Sequence, residues 1–177
     1  MISVLILDGF SDGSLCVNGT ALSEVSDIFI PLLTGILRYN GILCVTVRPS
    51  GLEHEYNING KNNDNLIYVP AFSCSNEKAE SLSMIYTDAT SAASTSFRIA
   101  SKLRKLREDT FSGVVFVNGL HDDDPLKKFS PVIVDNIRFT GTQSSCNMCE
   151  KIYKTALDVA VSICEYYGVL FRDPAKA

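Results

Sequence analysis

The chain has 177 residues, 46% of them hydrophobic and 20% charged, with a formal net charge of −4. This length and apolar content exclude a disordered chain and favour one domain, residues 1–177, with a sizeable core. No apolar run reaches the roughly 18 residues of a membrane span, and the acidic balance argues against nucleic acid as a partner, because phosphates call for a basic face.

The start, MISVLILDG, lacks the basic flank and small-residue cleavage site of a signal peptide, so synthesis in the cytoplasm is expected. Residues 2–7 read instead as a first buried strand, closed by Asp8-Gly9. Residues 9–20 are polar and form a loop at the strand's carboxyl end, where open α/β sheets bind ligands. Over residues 21–39, Val25, Ile28, Phe29, Leu32, Leu33, Ile36 and Leu37 recur at steps of three and four, the spacing of an apolar helix face. Ser23 is the expected N-cap, and Glu24 suits the positive end of the helix dipole. Pro31 cannot donate its backbone hydrogen bond and predicts a kink or a late start. Asn40-Gly41 ends the helix, and residues 42–47 (ILCVTV) read as a strand covered on both faces.

Residues 49–65 are too rich in Gly and Asn for more than a turn of regular structure. A third strand over 66–69 should stop at Pro70, followed by a loop over 71–81 and a fourth strand over 82–86. The helix expected over 90–106 carries Arg98, Lys102, Arg104 and Lys105, with Arg107 just beyond it. This basic cluster complements the negative helix end and reads as a solvated face. Residues 113–117 and 131–134 are two further buried strands, with the acidic turn His121–Pro125 (HDDDP) between them. The closing helix spans 146–167 and turns Ile152, Ala156, Val159, Ala160, Ile163 and Tyr167 inward. This alternation predicts an α/β domain: a mixed, mostly parallel central sheet of about five to six strands with helices on both faces.

Chemistry-bearing residues are few. His54 and His121 are the only histidines and lie in polar surroundings, as solvated side chains usually do. HExxH, GxSxG, GxGxxG and Walker-type loops are absent. The six cysteines, Cys16, Cys44, Cys74, Cys146, Cys149 and Cys164, do not form the pattern of a disulfide scaffold. Cys44 and Cys164 lie in apolar segments as small buried hydrophobes, with no bridge between them, and a reducing compartment is expected. Cys146 and Cys149 share one side of a helix start, as a redox pair, half a metal site or simply packed thiols. Asp8, Glu24 and Asp135 close or open elements along one rim. Three such acids can hold a metal or polarise water, or can serve only as turn and capping residues.

The order of segments resembles the zinc-dependent N-acetylmuramoyl-L-alanine amidases that cleave bacterial cell wall, phage endolysin catalytic domains included. Their Asp-x-Gly-His-Gly after a first strand is similar to Asp8-Gly9-Phe10-Ser11, and Glu24 through Thr46-Val47-Arg48 resembles their glutamate, long helix and strand. Ala-Asp-Leu-Phe-Ile-Ser-Ile-His-Ala-Asn resembles the run from Asp64 to Ser73, and Ser-Arg-x-Leu-Ala resembles Ser96-Phe97-Arg98-Ile99-Ala100. Pro-Ala-Val-Leu-Val-Glu resembles Pro131-Val132-Ile133-Val134-Asp135, and the final helix resembles residues 152–167.

The resemblance implies an amidase-like fold whose zinc is held by His, Glu and His, with a second Glu activating the bound water. Here the first histidine position falls at Phe10 or Ser11 and the second at or beside Ala71, so neither supplies an imidazole. Glu24 remains at the third ligand position, and Asp135 stands for the catalytic glutamate. A catalytic zinc normally needs three protein ligands, and without the metal nothing lowers the pKa of water from about 16 to near 7. Three readings follow. The first is a non-catalytic amidase-fold protein, a structural or binding component of a phage particle or cell-envelope assembly. It has no cofactor, takes other protein chains and peptidoglycan fragments as partners, and binds through Asp8, Glu24, Arg48 and Asp135. The second is an active peptidoglycan amidase whose zinc is held by substituted ligands such as His54, His121, Asp12 or a cysteine. The third is an unrelated α/β small-molecule-binding module. On the first reading Glu24 and Asp135 approach one another at one rim, with Arg48 or a backbone N–H holding Glu24 ionised.

Overall fold

In the computed structural model, residues 3–8, 15–16, 19–57, 65–75, 81–89, 91–140 and 145–176 are described. Apolar residues at alternate positions build six strands: β1 (Ser3–Leu7), β2 (Leu43–Val47), β3 (Leu66–Ser75), β4 (Leu82–Thr87), β5 (Gly113–Asn118) and β6 (Val132–Thr140). They form one sheet in the order β2-β1-β3-β6-β4-β5, parallel throughout except where β4 runs antiparallel to β6. β1 is interior, as its apolar run requires, flanked by β2 and β3.

The two faces are covered unequally. α1 (Leu22–Tyr39), α3 (Thr95–Arg107) and α4 (Ser145–Tyr166) pack on one face, against Val4, Ile6, Tyr68, Phe72, Ile85 and Ile133 among others. Among the described residues, the other face is covered by the four-residue α2 (Leu52–Glu55) and the 3-10 turn Pro125–Lys128, whose Leu52 and Leu126 pack with Leu5, Leu7, Ile67 and Val69. Phe29 of α1 is fully buried and meets Phe72 edge to face, with ring centroids 5.1 Å apart.

Several sequence expectations are corrected. α1 starts at Leu22 with Ala21 as N-cap, ahead of Ser23, and Glu24 Oε2 accepts from the Ala21 N–H at 3.3 Å. The helix runs through Pro31, which is exposed, so the Asp27 carbonyl that loses its partner sits on the solvent side. Ile28, counted with the apolar face, is 48% exposed. The stop at Gly41 holds: its φ of +80° suits glycine, and Asn40 Nδ2 donates to the Ile36 carbonyl at 2.9 Å.

Pro70 does not end β3, which continues to Ser75 and leaves no loop over 71–75. The Ile67 N–H donates toward β6, to the Pro131 carbonyl, so even-numbered residues direct their nitrogens toward β1. The β1 pairing ends at Ile6–Tyr68, and a missing N–H at Pro70 therefore breaks no ladder bond. β2 and β5 lie at the sheet edges and are not covered on both faces: Leu43 is 46% exposed and Val115 43%. The third helix begins at Thr95, residues 91–94 being a turn, and β6 runs on past Val134 to Thr140.

One cysteine pair also departs from expectation. Cys16 and Cys74 form a disulfide with Cα atoms 5.4 Å apart, tying the segment between β1 and α1 to the end of β3. Spacing along the chain carries no signal for a bridge between residues 58 apart, because the fold alone brings them together. Cys44 and Cys164 are free and buried, as expected, and Cys149 is free and exposed. No helix among the described residues is long and apolar enough to cross a membrane.

Candidate functional site

The middle of β3 and the first half of β6 frame a cleft of about 420 Å³ on the face that carries α2, lined by Ala71, His121, Asp123, Asp124, Leu126, Val134 and Asn136. Ala71 and Asn136 are directly in register. Side chains alternate along a strand, so Ala71 and Asn136 face the cleft while Phe72 and Asp135 point to the helices. Just after His121, Asp124 caps the 3-10 turn Pro125–Lys128: its carboxylate accepts from the Leu126 N–H at 2.8 Å, and its own N–H donates to the His121 carbonyl. His121 Nδ1 lies 4.0 Å from Asp123 Oδ1, and both side chains are almost wholly exposed. Lys127 pairs with Asp122 on the same turn and holds that carboxyl below its usual range.

Asp135 takes a different place from the rim position expected of it. It is fully buried, accepts from Arg107 Nη2 at 2.8 Å and from the Tyr68 hydroxyl at 2.6 Å. Arg107, expected on a solvated face with its basic neighbours, is also fully buried; its Nε lies 3.6 Å from Asp158 Oδ2 and its Nη1 donates to Ser83. The remaining basic residues behave as read: Arg104 is exposed beside Glu108, and Lys102 reaches Glu165 at 2.6 Å. Burial pushes the Tyr68 phenol well above its usual pKa, reinforced by the adjacent Asp135 charge. Burial likewise raises the Asp158 carboxyl, against the pull of Arg107 and Lys154.

Glu24 is exposed on the first turn of α1, where its carboxylate serves the Ala21 N–H; no contact joins it to Asp135 or Arg48. Arg48 is exposed after β2. Asp8 ends β1, its N–H donating to Val47 and its carboxylate accepting from Ser26 at 3.5 Å. It opens onto a second groove of about 460 Å³, between α1 and the β1–β2 edge, that Asp27 and Arg38 also line. Phe10, Ser11, Asp12 and the side chain of Cys146 lie outside the described residues. His54 is exposed on α2.

Asn136 is the residue that sequence reading missed. The motif Pro-Ala-Val-Leu-Val-Glu has six residues, and laid on Pro131 without a gap it brings its Glu to Asn136. The register agrees, since Asn136 and not Asp135 stands beside Ala71. The zinc implied by the resemblance does not fit what stands here: Ala71 offers a methyl group, Asn136 a neutral amide, and no cluster of three His, Cys, Asp or Glu among the described residues suits a metal.

No family sequence model and no curated protein sequence matches the chain. Solved structures do. The catalytic domain of CwlV, an N-acetylmuramoyl-L-alanine amidase from Bacillus (Paenibacillus) polymyxa var. colistinus, overlays with a TM-score of 0.71 at 14% identity, over 96% of this chain and 100% of that one. The amidase AmiC2 of Nostoc punctiforme gives 0.69 at 18%, over 94% and 97%. The CwlD amidase of Clostridioides difficile, solved in complex with the GerS lipoprotein, gives 0.64 at 14%, over 95% and 99%. The chain therefore has the fold of the amidase catalytic domains over nearly its whole length, and a module of some other α/β fold is ruled out.

Proposed function

We propose that this protein is a non-catalytic user of the amidase fold, serving as a binding or structural component of a larger assembly. The observation that carries the reading is the in-register pair Ala71–Asn136 in the cleft. Under the resemblance these positions belong to a zinc-ligating imidazole and to the carboxylate that activates water. A methyl group coordinates nothing, and an uncharged amide accepts no proton near neutral pH. Removing a ligand and the base together takes away both the metal-polarised water and the group that deprotonates it.

Other protein chains are the proposed partners, with peptidoglycan fragments as a second ligand class and a phage particle or cell-envelope assembly as the setting. CwlD, a protein of the same fold, is held in complex with a lipoprotein, which supports a protein-binding use of this architecture. The alternative, an active peptidoglycan amidase with substituted ligands, draws on His121, Asp123 and Asp124, which line the same cleft as Ala71.

The test is metal content and peptidoglycan cleavage by the purified protein, loaded with zinc and stripped. Substoichiometric zinc and no release of stem peptide in either state are expected. Stoichiometric zinc that supports cleavage, lost on His121→Ala, overturns the reading in favour of the alternative.

A further inference from the structure

The outward side of α1 is unusual for a helix that also buries a full apolar face. Ile28 is 48% exposed and Tyr39 51%, Leu32 is half-buried between them, and a Cβ added to Gly35 would meet nothing within 4 Å. At about 100° per residue these positions fall on one flank of the exposed surface, with Pro31 and Gly35 along its middle. Asp27 and Arg38, both exposed, fall on the opposite flank. They are eleven residues apart in the chain, about 16 Å along the axis.

We propose that this face is a self-association surface, on which α1 of a second copy packs antiparallel about a two-fold axis. A two-fold perpendicular to two facing antiparallel helices keeps each flank on its own side. The ionic flank then meets the ionic flank and the apolar flank meets the apolar flank. Within that geometry the register is self-complementary. Asp27 lies opposite Arg38 of the second copy and the reverse, Ile28 opposite Tyr39, and Pro31 opposite Gly35, all centred near Leu33. A parallel pairing about a two-fold along the axes would instead set each ionic flank against the apolar flank of the other copy, leaving Asp27 and Arg38 unpaired against Ile28 and Tyr39, so charge pairing favours the antiparallel arrangement. Gly35 leaves room for close approach at the centre. Arg38 reaches the Cys44 carbonyl through one Nη at 3.0 Å, which holds the guanidinium on this flank.

A single helix pair is smaller than the roughly 800 Å² per partner of a standard interface, so association in the micromolar range is expected. α1 covers the face of the sheet opposite the Ala71–Asn136 cleft, and the inference stands whether or not that cleft is catalytic.

Sedimentation velocity on the full chain across micromolar to millimolar concentration tests it. Asp27→Arg and Arg38→Asp should each weaken the dimer on the order of tenfold or more, since each turns two attractive pairs repulsive. Mixed one to one, the two variants should associate again, because the two cations on the ionic flank of one then face the two carboxylates on that of the other. The double variant should also dimerise. Gly35→Gln should weaken association without lowering the melting temperature of the monomer, since glutamine is the better helix former and nothing lies within 4 Å of an added Cβ. A monomer at every concentration, a dimer indifferent to these changes, or single variants that fail to rescue one another overturns the proposal and leaves the face to a different partner.

Discussion

Arg107 Nη2 and Asp135 Oδ2 meet at 2.8 Å with neither side chain exposed, clamping α3 to β6, which pairs parallel with β3 on one edge and antiparallel with β4 on the other. Tyr68 on β3 donates to the same carboxylate oxygen, and Asp158 on α4 approaches the same guanidinium. With Ser83 on β4 accepting from Arg107 Nη1, five elements converge on one buried charge pair. Removing one partner strands the other in a medium that solvates it poorly.

Asp135→Ala is accordingly expected to cost about 3–5 kcal/mol in chemical denaturation, whereas the apolar pair Arg107→Met with Asp135→Leu should cost much less. A single variant within about 1 kcal/mol of the parent would show that the pair carries no such weight.

The Cys16–Cys74 bridge joins residues 58 apart in the chain. Loop-closure entropy puts its contribution at up to about 4 kcal/mol, and a Cys16→Ser, Cys74→Ser variant should lose a large part of that. Equal denaturation midpoints for the variant and the oxidised parent would contradict it.

Burial pushes the Cys44 thiol up to about 12, Arg38 opposing and Cys164 reinforcing, and burial pushes Cys164 up to about 11. In the unfolded chain both ionise near the ordinary thiol value of 9.0. Above that pH the unfolded state binds fewer protons than the folded one, so stability is full below about pH 9 and falls as pH rises toward about 11. The slope should reach about 1.4 kcal/mol per pH unit for each thiol, and Cys44→Ala should remove one share of it. In native protein near neutral pH, Cys149 should react with a thiol reagent well before Cys44 or Cys164.

Phe29 is the largest apolar residue that α1 buries completely, and Phe72 is its ring partner. Phe29→Ala should destabilise by about 3–5 kcal/mol through lost burial and the cavity left behind. Ile28→Ser, one residue away on the exposed side, should change monomer stability by no more than about 0.5 kcal/mol.

Periodicity along the chain carried much of the architecture. Alternating or continuous apolar runs marked the strands, steps of three and four marked the helices, and Asn40-Gly41 marked a helix end, because each depends on a residue and its near neighbours alone. Segment order also carried the amidase likeness that the overlays bear out at the level of fold. What lay beyond the sequence depended on which elements end up side by side. β2 and β5 read like interior strands, since an apolar residue looks the same whether a neighbour covers it or not. Arg107 looked like one more cation on a basic helix until β6 brought Asp135 to it. Cys16 and Cys74 met only through the packing of β3 beside β1. The candidate site turned on a single step of register: adjacent strand residues face opposite ways, so Asp135 went to the core and Asn136 to the cleft beside Ala71.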